Sequence, residues 1–167
     1  MPTIILLIGY PGCGKSTVAK EMVGKFENTI IISRDDIRTM LCGGYAEYKH
    51  SEIKEGLVRS MAVSMMECAF DRGYNVIIDE VNMTKKRRTY WMNMATCIAE
   101  RKNISINHMG IWVDTPIDVC KERRTADPKG TNDGWSAIID NMIPLSENPT
   151  EDEFDEFKHI EHGENHE

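Results

Sequence analysis

The residues best suited to chemistry lie near the start of the chain, where residues 9–16 read Gly-Tyr-Pro-Gly-Cys-Gly-Lys-Ser. This stretch fits G-x-x-x-x-G-K-[ST], a pattern whose glycines let backbone N–H groups turn inward around phosphate oxygens. The lysine supplies a point charge to the β- and γ-phosphates, and the serine hydroxyl can ligate Mg²⁺. The pattern predicts a nucleotide-phosphate site formed by Gly12, Cys13, Gly14, Lys15 and Ser16.

A second polar group, Ser-Arg-Asp-Asp-Ile-Arg, occupies residues 33–38, directly after a short β-branched run. In parallel α/β sheets, ligands gather at the carboxyl ends of strands, so we expect this group to face the same crevice. Two adjacent acids flanked by two arginines suit phosphoryl transfer to a hydroxyl, because one carboxylate can accept the proton while an arginine holds an anionic acceptor. The alternative is a helix start, with the acids favoured by the helix dipole and the arginines in solvent.

The elements that must position these residues alternate along the chain. Apolar runs at 3–8, 30–32, 74–78 and 105–113 predict strands, and the last of them is less apolar and is expected near a sheet edge. Apolar residues at helical spacing separate the runs, and another such stripe covers 135–142. This order predicts an α/β fold, with a parallel sheet of about four strands and helices on both of its faces.

Length and composition favour an ordinary globular domain. The chain has 167 residues with 41% hydrophobic and 28% charged residues. Its longest apolar run, residues 4–8, is far shorter than the roughly 20 residues that span a bilayer, and no basic segment precedes it. The five cysteines are odd in number and form no C-x-x-C pair, which favours a reduced, cytoplasmic setting.

The net charge of −7 is concentrated at the end of the chain. Residues 151–167 hold eight acids and one lysine, so the remainder is neutral. We therefore expect a domain over residues 1–150 and an acidic C-terminal tail over 151–167, anchored by Phe154, Phe157 and Ile160. A neutral body still allows a local basic patch for nucleic acid.

The stretch 9–17 together with 33–38 resembles the 5′-polynucleotide kinase domain of phage and cellular end-healing enzymes, within the small P-loop kinases. The resemblance runs to about residue 125 and implies a P-loop kinase fold that uses ATP and Mg²⁺. It implies that Lys15, Ser16 and Thr17 bind the ATP phosphates and the metal. It also implies that Asp35 is the general base for a 5′-hydroxyl and that Arg38 grips the acceptor's phosphate, with Arg34 beside it.

Two later segments extend the resemblance. Residues 77–82 are similar to a D-x-T-N element that shapes the acceptor side, which implies a substrate role for Asn82 and a role for Asp79 or Glu80 near Mg²⁺ or Arg38. The alternative is a strand-end turn with satisfied polar groups. Residues 120–124 resemble the start of a helical lid spanning about 120–145, and imply that Arg123 neutralises the phosphates. Asp127 replaces the family's second arginine, a role that Arg124 or Lys129 could fill.

Two further groups remain open to more than one interpretation. The basic run at residues 85–88 could track a nucleic-acid backbone or form a solvated helical face. Trp112 and Trp135 could stack on a base or pack in the interior.

The leading hypothesis is ATP-dependent phosphorylation of a 5′-hydroxyl DNA or RNA end, with Asp35 as the base. One alternative is a kinase for a small acceptor such as a nucleoside, a nucleotide or a sugar nucleotide. Another is a regulatory ATPase that binds nucleotide. Because the chain is too short for the phosphatase domain of the phage enzyme, we expect no 3′-phosphatase activity.

Overall fold

Five parallel strands form a single sheet in the computed structural model, which describes residues 1–128 and 134–162. The spatial order of the strands is β2-β3-β1-β4-β5, so the first strand of the chain lies in the middle of the sheet. The strands are β1 (Thr3–Ile8), β2 (Thr29–Ile32), β3 (Asn75–Asp79), β4 (Asn107–Asp114) and β5 (Glu156–Glu161).

Helices connect the strands, as a parallel sheet requires. Within the described ranges, side chains cap three of them, since Ser33, Ser51 and Thr84 each accept a hydrogen bond from a backbone N–H of the first turn. Short 3-10 turns follow at Ile143–Leu145 and Glu151–Glu153. The helices of the described ranges are α1 (Lys15–Lys25), α2 (Arg34–Cys42), α3 (Glu52–Phe70), α4 (Lys85–Lys102), α5 (Ile117–Ala126) and α6 (Trp135–Met142).

The central strand β1 divides the interior into two cores. Ile4, Leu6 and Ile8 point to one face, where they meet buried residues of α2, α3 and α4. Ile5 and Leu7 point to the other face, where they meet α1, α5 and α6. Each fully buried aliphatic side chain contributes about 1.5–3 kcal/mol, so this strand anchors the loop that follows it.

The far edge of the sheet corrects two predictions. The sheet has five strands rather than about four, because Glu156–Glu161 of the expected acidic tail pairs in parallel with β4. As a result β4 is an interior strand between β1 and β5 rather than one near an edge. Ile160 is buried, whereas most other side chains of β5 are exposed. The charged residues around it therefore leave no apolar run by which the sequence could predict this strand.

The cysteines are free thiols, of which Cys13 and Cys120 are buried. Across the described ranges, no helix combines the length and the apolar character needed to cross a bilayer.

Candidate functional site

A glycine-rich loop between β1 and α1 forms an anion cradle. Gly12 has φ of 86°, and a Cβ atom at this position would lie 2.4 Å from the carbonyl oxygen of Cys120. Gly14, at the start of α1, has φ of 107°, and no side chain of the described ranges caps the helix there. Free N–H groups at a helix start bind anions, so this loop suits a phosphate group.

Lys15 and Ser16 begin α1 and point their polar ends into the cradle region. The buried Lys15 donates hydrogen bonds from Nζ to the carbonyl oxygens of Gly9 and Tyr10, each at 2.8 Å. The Ser16 hydroxyl donates to Asp79 Oδ2 at 2.7 Å. A hydroxyl and a carboxylate oxygen this close fit Mg²⁺, which accepts few protein ligands and completes its shell with water and phosphate oxygens.

Asp35 lies in the first turn of α2, held beside a network of opposite charges. Arg38 donates to Asp35 Oδ1 from Nη1 at 2.8 Å, and its Nε and Nη2 donate to the two carboxylate oxygens of Glu55 on α3. This hydrogen bonding raises the pKa of Arg38 and lowers the pKa of Glu55 to about 2. Tyr48 also donates its hydroxyl to Glu55, at 2.6 Å. Arg38 therefore orients Asp35 while its own charge is balanced by Glu55.

A second ion pair gives the two acids at the end of β3, Asp79 and Glu80, different partners. Arg34 binds both carboxylate oxygens of Glu80 and lies over the ring of Trp91, 5.6 Å from its centroid. Trp91 also donates its ring N–H to Glu80. Glu80 is thus committed to protein partners, which leaves Asp79 as the acid beside Ser16.

Two chambers meet at this site. The large chamber, about 830 Å³, is lined by the glycine-rich loop, Thr115, Arg123 and the end of β5 at residues 160–162. The small chamber, about 300 Å³, contains Asp35 and an apolar wall. That wall is formed by Pro11, Tyr45, Val81, Trp135, Ile138 and Met142. Both chambers are lined by Lys15, Ser16, Asp79 and Arg124.

This arrangement assembles most of the predicted site. The predicted phosphate-site residues Gly12, Cys13, Gly14 and Thr17, together with Arg123, line the large chamber. Arg34, Arg38 and Asn82 line neither chamber, and each is engaged with protein groups; Asn82 is fully buried and donates its amide to the carbonyl of Leu7 at 2.9 Å. Asp127 lines the large chamber and Arg124 lines both, whereas Lys129 lies outside the described residues.

Sequence reasoning missed several residues of the site. Glu55 and Tyr45 belong to segments without a motif, and only the Tyr-rich stretch 45–48 hints at an aromatic wall. Residues 160–162 line the large chamber, although the sequence predicts that they belong to a tail outside the domain. Within the basic run 85–88, Arg88 is fully buried and paired with Glu153, so this residue is not part of a nucleic-acid surface.

A phosphate cradle between a buried parallel strand and a helix defines a P-loop nucleotide-binding fold. The family model described as an AAA domain matches residues 4–141. The chain belongs to this family.

Individual relatives point to kinases with different acceptors. An Autographa californica nuclear polyhedrosis virus protein, provisionally named a bifunctional polynucleotide kinase/RNA ligase, is 32% identical over 102 residues, or 55% of this chain and 14% of that protein. The adenylyl-sulfate kinase of Buchnera aphidicola is 28% identical over 130 residues, or 75% of this chain and 55% of the relative. The chain thus spans a seventh and about half of these two proteins. A fungal RNA kinase structure shares the fold, with a TM-score of 0.68 at 16% identity over 99% of this chain and 76% of that one.

Proposed function

We propose that this chain is a kinase that transfers the γ-phosphate of ATP to the 5′-hydroxyl end of a DNA or RNA strand. The observation that carries the proposal is the placement of Asp35 in the small chamber, which meets the large chamber at Lys15, Ser16 and Asp79. A triphosphate in the large chamber and a hydroxyl beside Asp35 would then meet at these shared residues. The names of the viral and fungal relatives support this acceptor class.

In phosphoryl transfer the protein mainly positions the two reactants and neutralises the negative charge of the phosphates. Asp35 accepts the hydroxyl proton as the oxygen forms its bond to the γ-phosphorus, the bond to the bridging oxygen breaks, and ADP leaves. Arg38 holds the Asp35 carboxylate in place through their 2.8 Å contact. Lys15 exchanges its carbonyl partners for phosphate oxygens, and Arg123 balances charge from α5. Ser16 and Asp79 would hold Mg²⁺, which would supply further neutralisation of the phosphate charge.

A nucleotide-sized small acceptor is the second candidate. The small chamber has a volume of about 300 Å³, and the adenylyl-sulfate kinase aligns with 75% of this chain. In this case Asp35 performs the same step on the sugar hydroxyl of a free nucleotide.

Transfer of label from γ-labelled ATP with Mg²⁺ separates these acceptors. The assay offers a 5′-hydroxyl oligonucleotide, a nucleoside 3′-monophosphate, adenylyl sulfate and a sugar nucleotide in parallel. We expect label on the oligonucleotide and its loss in Asp35→Asn. Label confined to a small acceptor would replace the polynucleotide by that acceptor, and bound ATP with no transfer at all would favour a regulatory module.

A further inference from the structure

Arg124 and Trp135 make a contact that the reaction above does not use. The guanidinium carbon of Arg124, on α5, lies 5.0 Å from the ring centroid of Trp135 at the start of α6. Arg124 Nε and Trp135 Nε1 are buried, and neither has a hydrogen-bond partner within residues 1–128 and 134–162. Because buried donors without partners are unfavourable, the pairing is one that a ligand can displace.

The two residues differ in which chambers they reach. Arg124 lines both chambers, whereas Trp135 lines only the small one, together with Tyr45. A triphosphate in the large chamber therefore competes with the indole ring for the guanidinium. Hydrogen bonds between a guanidinium and phosphate are charge-assisted and bidentate, and they are stronger than most cation–π contacts.

We propose that Arg124 couples the two chambers. Nucleotide phosphates draw its guanidinium away from Trp135, and the ring face that it covered then stacks on the terminal nucleobase of the acceptor. The proposal rests on the proposed function and deepens it, since it requires a base on the acceptor and places nucleotide binding before acceptor binding. Aromatic stacking tolerates any base, so the small chamber selects for a nucleoside end rather than for a sequence.

The movement of Arg124 can be tested without any phosphoryl transfer. A non-hydrolysable ATP analogue with Mg²⁺ is added to the chain, and Trp135 emission is taken as the difference between the wild type and Trp135→Phe. We expect the emission to change on nucleotide binding, to change equally in the control Trp112→Phe, and to be unresponsive in Arg124→Ala. Calorimetric binding of the analogue with no change in Trp135 emission would overturn the coupling.

The stacking step is tested with two 5′-hydroxyl oligonucleotides that differ only in whether the terminal residue carries a base. In the wild type, the ATP analogue should strengthen binding of the base-bearing strand about tenfold and leave binding of the abasic strand nearly unchanged. Arg124→Ala should lose this dependence on nucleotide, because in this variant no guanidinium covers the ring of Trp135. Trp135→Leu should lose the preference for a base, while Trp135→Phe should keep most of it.

The contrary outcomes are distinct. Weaker acceptor binding by Arg124→Ala in the absence of nucleotide would mean that this arginine simply holds the acceptor, which overturns the coupling. An equal gain for both strands would overturn the stacking. If neither strand binds, the polynucleotide acceptor and the stacking fail together, while the emission measurement still decides whether nucleotide moves Arg124.

Discussion

At the scale of single residues, Asp35 and Asp36 are adjacent in sequence but differ in surroundings. Asp35 lines the small chamber and is bound by Arg38, whereas Asp36 lines the large chamber near the cap formed by Ser33. If Asp35 is the general base, Asp35→Asn should reduce the transfer rate by about 10²–10⁴-fold with little change in ATP affinity. The exposed Asp118→Asn is the control and should retain the wild-type rate. A rate loss of less than tenfold in Asp35→Asn would exclude this role.

Glu55 predicts a pH dependence of stability. Its hydrogen bonds to Arg38 lower its pKa in the folded chain to about 2, below the ordinary value of 4.5. A lowered folded-state pKa contributes stability that is fully present above about pH 4.5 and is lost as the pH falls towards 2. The difference in unfolding free energy between the wild type and Glu55→Gln, measured by urea titration, should therefore shrink across this window. A difference independent of pH would contradict the prediction, and the exposed Glu21→Gln is the control.

At the scale of elements, a buried ion pair joins the segment before β5 to α4 and to the loop that follows β3. Arg88 of α4 is bidentate to Glu153, at 2.8 Å for both contacts, and it also donates to the carbonyl oxygens of Asn82 and Glu147. Thr150 and Glu153 form a reciprocal cap that holds the turn in place.

Removing one partner of this buried pair leaves an uncompensated charge. We expect Arg88→Met to lower the free energy of unfolding by about 3–5 kcal/mol in urea titrations. The neighbouring Arg87→Met is the control and should change it by less than about 0.5 kcal/mol, because Arg87 is exposed. Equal effects of the two substitutions would show that the pair adds nothing beyond the loss of a surface charge.

The same scale shows which elements the sequence can predict. The positions of the phosphate loop and of Asp35 can be predicted from local sequence. Glycine conformation and the end of a buried strand are each encoded within a few residues. The partners of Arg38 and Arg88 lie 17 and 65 residues away, so no local pattern identifies them. The sequence does not predict β5 for another reason. This strand pairs with β4, but its single deeply buried residue, Ile160, lies among charged neighbours, so no apolar run marks it.

At the scale of the whole molecule, the acidic strand β5 and Asp35 belong to opposite edges of the sheet. β5 carries Glu156 and Glu161, whereas Asp35 follows β2, four strand spacings away. At about 4.8 Å a spacing, the two edges are about 19 Å apart, roughly twice the screening length at physiological salt. Exposed charges on the solvent side of β5, such as that of Glu156, are therefore largely screened from an acceptor beside Asp35.

Salt dependence distinguishes a strand from a small acceptor at this edge. Each phosphate contacted on a single strand adds about 0.7 to the slope of log affinity against log salt concentration. We expect a steeper slope for an oligonucleotide than for a nucleoside 3′-monophosphate when KCl is raised from about 50 to about 200 mM. Lys54 lies with its ammonium over the ring of Tyr48, which donates to Glu55, and we expect it to contact a strand that leaves the small chamber on this side. Lys54→Gln should lower the oligonucleotide slope by about 0.7, while Lys158→Gln on β5 should not change it. Equal slopes for both acceptors would mean that the site reads no more than one phosphate, and the small-acceptor function would then be the better account.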